Sequence, residues 1–327
     1  MINELSALRL IEEQFQSAIG CVEAGIGDDA AALRVGSGKL LLATTDCQVE
    51  DVHFLKSRIT PEELARKSVA VSVSDVGAMG GVPKFILASL GFSTDEDERF
   101  LMDLIKGFRS SEEEFGVRLV GGNLSSSEKL FLDVTSLGEV EPENLVRRSG
   151  AIPGDAIYVS GTLGDSALGL MLLSQGKDSD EYSYLIGRHK CPKPRLALGR
   201  RLALSGAVTS MIDVSDGLLL DLERITVQQG TGARLFMSRI PLSREYSAHV
   251  AGYAEDFYGA ALSGGEDYEL LFTSPPARRD EVREISRALG IDITEIGEVV
   301  PEPMLSVLNA GGNEIDIKRR GFIHFGN

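Results

Sequence analysis

The sequence predicts an α/β protein of two domains. Three observations carry this. Short apolar runs alternate along the chain with longer stretches whose apolar residues recur every three or four positions, the pattern of strands and helices in turn. At 327 residues the chain exceeds what one hydrophobic core usually supports. Arg147 to Asp155 (RRSGAIPGD) is dense in turn formers and divides it. The expected domains are 1–147 and 148–327.

In order, Leu5, Leu8, Ile11, Glu12 and Phe15 have the spacing of an amphipathic packing helix. Gly25-Ile26-Gly27-Asp28-Asp29-Ala30-Ala31 is an acidic loop, its glycines free to turn sharply. Leu40 to Ala43 reads as a strand closed by Thr44-Thr45-Asp46, and Gln48 to Phe54 as a loop carrying His53. Thr60-Pro61-Glu62-Glu63 starts a helix, with Thr60 as N-cap, Pro61 in the first position and Glu63 closing a capping box. That helix runs through Ala70 toward Asp75 and Met79 and stops at Gly80-Gly81. Phe85 to Leu90 is a strand, Asp95 to Phe115 a charged helix, and Arg118 to Val120 a short strand opening onto Gly121-Gly122-Asn123. Leu130 to Val134, continuing to Gly138, is another strand.

Beyond the boundary, Ala156 to Ser160 is a strand, Gly161 to Gly164 a loop, and Asp165 to Leu173 a helix. Pro192 to Leu204 and Asp216 to Gln229 read as helices, Ala233 to Met237 and Tyr268 to Phe272 as strands. Ser263-Gly264-Gly265-Glu266-Asp267 is a second glycine-acid turn. Pro276 to Leu289, Glu295 to Val300 and the final strands finish an alternating α/β domain.

Composition narrows the function. Hydrophobic residues make up 43% and charged residues 25%, a globular balance. The net charge of −16 disfavours a nucleic-acid partner, which needs a positive field. Cys21, Cys47 and Cys191 are odd in number, and no CxxC pair exists, so neither a disulfide framework nor a zinc ribbon is expected. A reduced, cytoplasmic setting fits. The start carries Glu4, Glu12 and Glu13 and does not read as a signal peptide. No stretch approaches the roughly 20 apolar residues of a membrane span.

The acidic residues carry the chemistry. Asp28 and Asp29, Asp46, Asp75, Asp213 and Asp216 sit beside apolar segments far apart in sequence. Converging, these six carboxylates would repel strongly unless cations neutralised them. Hard oxygen ligands suit Mg²⁺, which commonly accompanies phosphates. No GxxxxGK[ST] motif exists, since Gly176-Lys177 is followed by Asp178. The expected site is therefore metal-dependent phosphoryl transfer without a P-loop.

Each signal has a plainer counterpart. Asp28 and Asp29 also suit a solvated turn. Gly25-x-Gly27-x-x-Ala30 matches a dinucleotide fingerprint, the mark of a dinucleotide-dependent oxidoreductase. The residues before it make a poor strand, however, and two carboxylates stand where a pyrophosphate would bind. Asp46 also suits a loop, and Asp75 the surface of a helix, although its apolar and small neighbours make a lone charge there expensive. Ser215 or Asp216 suits a helix N-cap. Gly121 and Gly122 suit either a tight turn or a close approach to phosphate. Arg148 is a solvated linker arginine or a phosphate clamp. His53 reads as a satisfied loop histidine. His189, His249 and His324 lack ligand spacing.

Six motifs together are more specific than any one. GIGDDAA (25–31), TTDCQVEDVHF (44–54), KSVAVSVSDVGAMGG (67–81), RSGAIPGD (148–155), IDVSDGLLLDL (212–222) and SGGEDYELLF (263–272) resemble the thiamine-monophosphate kinase family, part of the superfamily that includes aminoimidazole ribonucleotide synthetase. The resemblance spans nearly the whole chain. It implies a two-domain, synthetase-like architecture whose N-terminal mixed sheet forms a homodimer interface, with the active-site cleft between the two domains. It implies ATP-dependent conversion of thiamine monophosphate to thiamine diphosphate. By matching positions it implies that Asp29, Thr44, Thr45, Asp46, Asp75, Asn123, Asp213 and Asp216 surround several Mg²⁺ ions. Gly122, Asn123, Arg148 and Ser215 would contact ATP, while His53, Glu266 and Phe322 would face thiamine. Asn123 departs from the family pattern, which has an aspartate after the paired glycines. An amide offers a carbonyl oxygen to Mg²⁺ but no charge.

The resemblance leaves rivals. Aminoimidazole ribonucleotide synthetase is the nearest. Selenophosphate synthetase wants a reactive cysteine with a partner lysine, which Cys21 lacks. The hydrogenase-maturation relative carries a C-terminal cysteine, where this chain has Phe325-Gly326-Asn327. A metal-binding scaffold without activity is a further alternative, raised by Asn123.

Overall fold

The computed structural model describes residues 22–24, 28–36, 38–93, 96–227, 230–254, 256–315 and 321–322. The helix expected over Leu5 to Phe15, the loop glycines Gly25 and Gly27, and His324 lie outside them.

Two six-stranded mixed sheets organise these residues. The first contains β1 (Val22–Ala24), β2 (Ala31–Arg34), β3 (Leu40–Val49), β4 (Val82–Phe92), β5 (Arg118–Ser126) and β6 (Phe131–Val140), in the order β1-β2-β3-β6-β4-β5. Neighbours run antiparallel except β4 and β5. Strand β6 alternates between buried and half-buried residues along its whole length, because among the described residues only one face of the sheet is covered. Helices α1 (Pro61–Ala78) and α2 (Glu98–Phe115) cover it. Leu64, Val69 and Val73 of α1 and Leu104 and Phe108 of α2 pack there with Ile86, Leu90, Leu132 and Val134.

The second sheet has the order β12-β9-β11-β7-β10-β8. Its strands are β7 (Ala156–Ser160), β8 (Ser210–Asp213), β9 (Gly232–Phe236), β10 (Leu270–Ser274), β11 (Ile293–Val300) and β12 (Leu305–Leu308). Only β9 and β12 pair in parallel. Helices α3 (Asp165–Ser174), α4 (Ser183–Lys190), α6 (Leu218–Val227), α7 (Arg244–His249) and α8 (Gly259–Ser263) lie over one face. Helices α5 (Leu196–Ser205) and α9 (Arg279–Leu289) lie over the other. With both faces covered, every residue of β7, β8 and β10 is buried.

Helix α1 joins the two halves. Its start is as expected: Thr60 accepts from the Glu63 N–H, and Glu63 accepts from the Thr60 N–H. Thirteen of its eighteen residues are buried, so it is an interior helix, not an amphipathic surface one. One side lies under β3 and β6, and the other meets α5. A Cβ at Gly199 of α5 would stand 2.1 Å from the Gly77 carbonyl oxygen. Only two glycines allow the helices that approach.

Several boundaries move. Strand β3 continues through Asp46 to Val49, so Asp46 lies within the strand, and the expected loop begins only at Glu50. Gly121-Gly122-Asn123 is not a turn after a short strand; it lies inside β5, paired with Leu87, Ala88 and Ser89. The register shifts there, and a Cβ at Gly122 would come within 1.9 Å of the Ala88 carbonyl oxygen. The helix expected from Asp216 also shifts, since α6 starts at Leu218. Helix Pro192 to Leu204 resolves into α5 from Leu196, preceded by α4. Strand Tyr268 to Phe272 begins at Leu270, because Glu266 and Tyr268 turn through left-handed conformations at φ 64° and 50°.

Candidate active site

Three carboxylates from three distant segments meet where the halves join. Asp29 precedes β2, Asp75 lies in the last turn of α1, and Asp213 ends β8 of the second sheet. Each offers an oxygen within 4.8 Å of the others. Neighbouring hydroxyls fix two of them. Thr44 Oγ1 donates to Asp75 Oδ2 at 2.6 Å, and Ser74 Oγ donates to Asp213 Oδ2 at 2.5 Å. Consecutive helix residues thus touch both domains, Ser74 reaching across to Asp213.

Like charges this close disfavour ionisation. Burial, then Asp46, Asp213 and Asp29, push Asp75 well above the usual carboxylate range. Burial and Asp29 do the same to Asp213. Burial, then Asp133, Asp29 and Asp216, raise Asp46 to about 7. Arg148 offsets part of this charge. Its Nη2 donates to Asp29 Oδ1 at 2.7 Å, and its backbone N–H donates to Asp28 Oδ1 at 2.8 Å. One guanidinium does not balance the set. Asp29 Oδ2 and Asp46 Oδ2 are buried with no hydrogen-bond partner among the described residues. Buried, unpaired carboxylate oxygens beside a three-acid cluster fit a divalent cation.

The loop after β8 is built around a residue that the sequence reading did not single out. Asp221 is fully buried, and its Oδ2 accepts the N–H groups of Ser215, Asp216 and Gly217 at 3.0, 3.0 and 3.1 Å. A carboxylate inside α6 gathers the loop amides just before the helix. Asp221 Oδ1 pairs with Arg224, which also holds Asp216 Oδ2 at 2.6 Å. The Phe322 N–H donates to the Asp216 carbonyl oxygen, so the partly exposed Phe322 is tied by its backbone to the same loop.

The remaining expected residues are spread around this centre. The Thr45 side chain is exposed and donates to Asp133 Oδ1 at 2.6 Å, whereas Thr44 turns toward α1. Gly122 and Asn123 lie on exposed β5, with Asn123 Nδ2 donating to Ser125 Oγ. Asn123 shares a row across the sheet with Ser89 and Asp133. His53 Nδ1 accepts from the Val49 N–H at 3.0 Å, which leaves Nε2 to carry the proton in the neutral ring. Glu266 pairs with Lys67 and His189. Asp133 occupies an alternating strand position and Asp221 a helical one, so neither had a sequence signal apart from an ordinary solvated carboxylate.

Comparisons with known proteins agree in kind. The model of the AIR synthase related protein, N-terminal domain, matches residues 27–140, and that of the C-terminal domain matches residues 153–308. The chain is 39% identical over 297 residues to the thiamine-monophosphate kinase of Haemophilus influenzae, covering 89% of this chain and 88% of that protein. It is 36% identical over 325 residues to the thiamine-monophosphate kinase of Escherichia coli K12, covering 98% of each. A solved structure described as AaThiL complexed with AMPPCP and TMP superposes with a TM-score of 0.86 at 35% identity, covering 99% of this chain and 97% of that one.

Proposed function

The chain belongs to the thiamine-monophosphate kinase family of AIR synthase-related proteins, and from that premise we propose how its cleft works. The reaction is phosphorylation of thiamine monophosphate to thiamine diphosphate with ATP as donor. The observation that carries the assignment to this cleft is the meeting of Asp29, Asp75 and Asp213 across the two sheets. No P-loop or kinase-type loop is needed, because the phosphate-neutralising charge enters with metal ions.

Asp29, Asp46, Asp75, Asp213 and Asp216 would hold Mg²⁺, with Thr44, Thr45 and Asn123 as neighbouring oxygen donors. Bound Mg²⁺ supplies charge neutralisation and alignment of the phosphates. The chain's own residues do the rest. Arg148, already aimed into the cluster, would turn its fork to phosphate oxygens of ATP. Gly122, Asn123 and Ser215 would complete the nucleotide contacts. His53, Glu266 and Phe322 would line the thiamine side. The attacking group is a phosphate oxygen that is already ionised at neutral pH. It forms a bond to the γ-phosphorus as the bond to the β–γ bridging oxygen breaks, and ADP leaves. No general base is required, so positioning and electrostatic stabilisation carry the rate.

A homodimer belongs to the same proposal. Phe85, Leu87, Leu119, Val120 and Leu124 are 47, 37, 39, 57 and 63% exposed on β4 and the uncovered edge strand β5. A second copy on this apolar surface would remove it from water and would cover Gly122 and Asn123 at the same time. The division into 1–147 and 148–327 rests on the two sheets falling either side of it. No helix among the described residues is long and apolar enough to cross a membrane, and a cytoplasmic setting is part of the same reading.

The deciding assay follows thiamine diphosphate and ADP formation from thiamine monophosphate, ATP and Mg²⁺, with ring closure to aminoimidazole ribonucleotide measured in parallel. Thiamine diphosphate formation is expected. Ring closure in its place, or tight NAD(P) binding without Mg²⁺, would overturn the reading.

A further inference from the structure

A fully buried lysine lies outside every role assigned so far. Lys67 sits on α1 about two turns before Asp75, and none of its side chain is exposed. A buried ammonium is costly unless charge or strong acceptors meet its donors. Here three acceptors converge. Nζ stands 3.1 Å from each carboxylate oxygen of Glu266 and donates to the His53 carbonyl oxygen at 3.4 Å. Lys67 and His53 belong to the first half of the chain and Glu266 to the second.

His189 of α4 supports the same carboxylate. Its Nδ1 is 3.0 Å from Glu266 Oε2 and 3.2 Å from Ser166 Oγ. Glu266 needs that support, because its backbone is left-handed at φ 64°, which costs a residue with a Cβ roughly 1–2 kcal/mol. Gly265 beside it leaves no alternative packing, since a Cβ there would lie 2.3 Å from the Ser215 carbonyl oxygen.

The geometry points to Lys67 as a positioning residue for the substrate side of the cleft, tying the Glu266 carboxylate of one domain to the His53 turn of the other through one ammonium. This rests on the reading that His53 and Glu266 face thiamine monophosphate. A buried pair that only stabilises the fold would affect both substrates alike when broken. A positioning lysine affects the substrate whose pocket it sets.

Protonation offers a second readout. The charged groups facing His189 are Lys67, Glu266 and Lys190; those facing Glu266 are Lys67 and His189, and the buried Tyr268, two residues on, feels its charge. Burial, then Lys67, hold His189 below the usual imidazole range, so it is neutral near neutral pH. Burial alone would raise Glu266, but Lys67 and His189 bring it to about 2, so it stays ionised. Lys67→Met removes one positive neighbour from His189, which then takes up a proton more readily. As pH falls, the imidazolium replaces the missing ammonium beside Glu266.

The experiment is steady-state kinetics on full-length wild type and Lys67→Met, varying each substrate in turn, at about pH 8 and about pH 6. The KM for thiamine monophosphate is expected to rise about tenfold at the higher pH, with the KM for ATP within about twofold of wild type. The thiamine monophosphate defect should shrink at the lower pH. Equal rises in both KM values, no rise, or a rise indifferent to pH would overturn the inference. The double variant Lys67→Met/Glu266→Gln strands no buried charge. It is expected to keep a wild-type Tm and a raised KM for thiamine monophosphate; return to the wild-type KM would overturn the inference as well. Wild type that makes no thiamine diphosphate would sink the kinase reading and this inference together. Active wild type with indifferent Lys67 variants would sink this inference alone.

Discussion

Early in α1, Lys67 is buried against Glu266 and beside His189. In the last turn of the same helix, Asp75 is brought against Asp29 and Asp213. Both positions put an ionisable group into the junction of two domains, about two turns apart. At Lys67 the opposite charge is built in, and every partner is protein. At Asp75 the nearest charges have the same sign, and Arg148 covers only part of them. The first arrangement is complete as folded. The second leaves Asp29 Oδ2 and Asp46 Oδ2 without hydrogen-bond partners among the described residues, a deficit that the cations of the proposed function would fill. A buried charge therefore says little by its burial alone; the sign of its neighbours separates a strut from a binding site.

The largest expected effect strikes the incomplete end. Asp75→Asn should cut turnover by about a thousandfold or more, since on the proposed function it removes a metal ligand where charge stabilisation supplies the rate. It should leave the Tm of the metal-free protein unchanged or raised, because a repelling charge is gone. Near-normal turnover would erase the distinction drawn between the two positions.

Next comes the loop that presents Asp213 and Asp216. Asp221→Ala releases three amides and Arg224 at once, and turnover should fall by about tenfold to a hundredfold, with a lower Tm. Asp221→Asn keeps a carbonyl oxygen for the amides and should lie between Asp221→Ala and wild type. Equal kinetics for Asp221→Ala and wild type would mean that the loop holds its shape without this carboxylate.

Stability should also respond to pH and metal in a defined direction. The folded-state pKa values of Asp46, Asp75 and Asp213 are raised above those of the unfolded chain. Their contribution is present below the ordinary carboxylate range and is lost as pH rises; for Asp46 the loss runs from about pH 4 to about 7. Metal-free protein should therefore gain relative stability toward mildly acidic pH from these groups. Mg²⁺ should raise the Tm more at about pH 8 than at about pH 5.5, because protons compete with the ion. A Tm indifferent to Mg²⁺ at both pH values would remove the metal from the acidic end.

The smallest effect sharpens the comparison. Thr44→Val withdraws the hydroxyl that orients Asp75 Oδ2 and should raise the Mg²⁺ concentration for half-maximal rate by about threefold. The KM for thiamine monophosphate should not move, since Thr44 touches only the acidic end. A change in that KM would show the two positions to be coupled.

Local chemistry made much of this legible. Thr60, Pro61 and Glu63 announced the start of α1, and the capping box is there. Asp75 stood out because a lone carboxylate among valines, serines and alanines is expensive unless it is paired or metal-bound. Lys67 sits in the same apolar helix and did not stand out, because a four-carbon stem usually carries its ammonium to solvent. Its burial depends on Glu266, 199 residues away. Gly121 and Gly122 were ambiguous for a related reason. Their pairing with β4, and the carbonyl that a Cβ at Gly122 would strike, are absent from the local sequence.

What the sequence determined by itself was the kind of chemistry: residue types, their order, and motifs that name a family. Which carboxylates face one another, and which lysine answers which glutamate, was decided only when α1 was packed between two sheets. Electrostatic energy depends on separations of a few ångströms between groups far apart along the chain, and local sequence does not encode those separations.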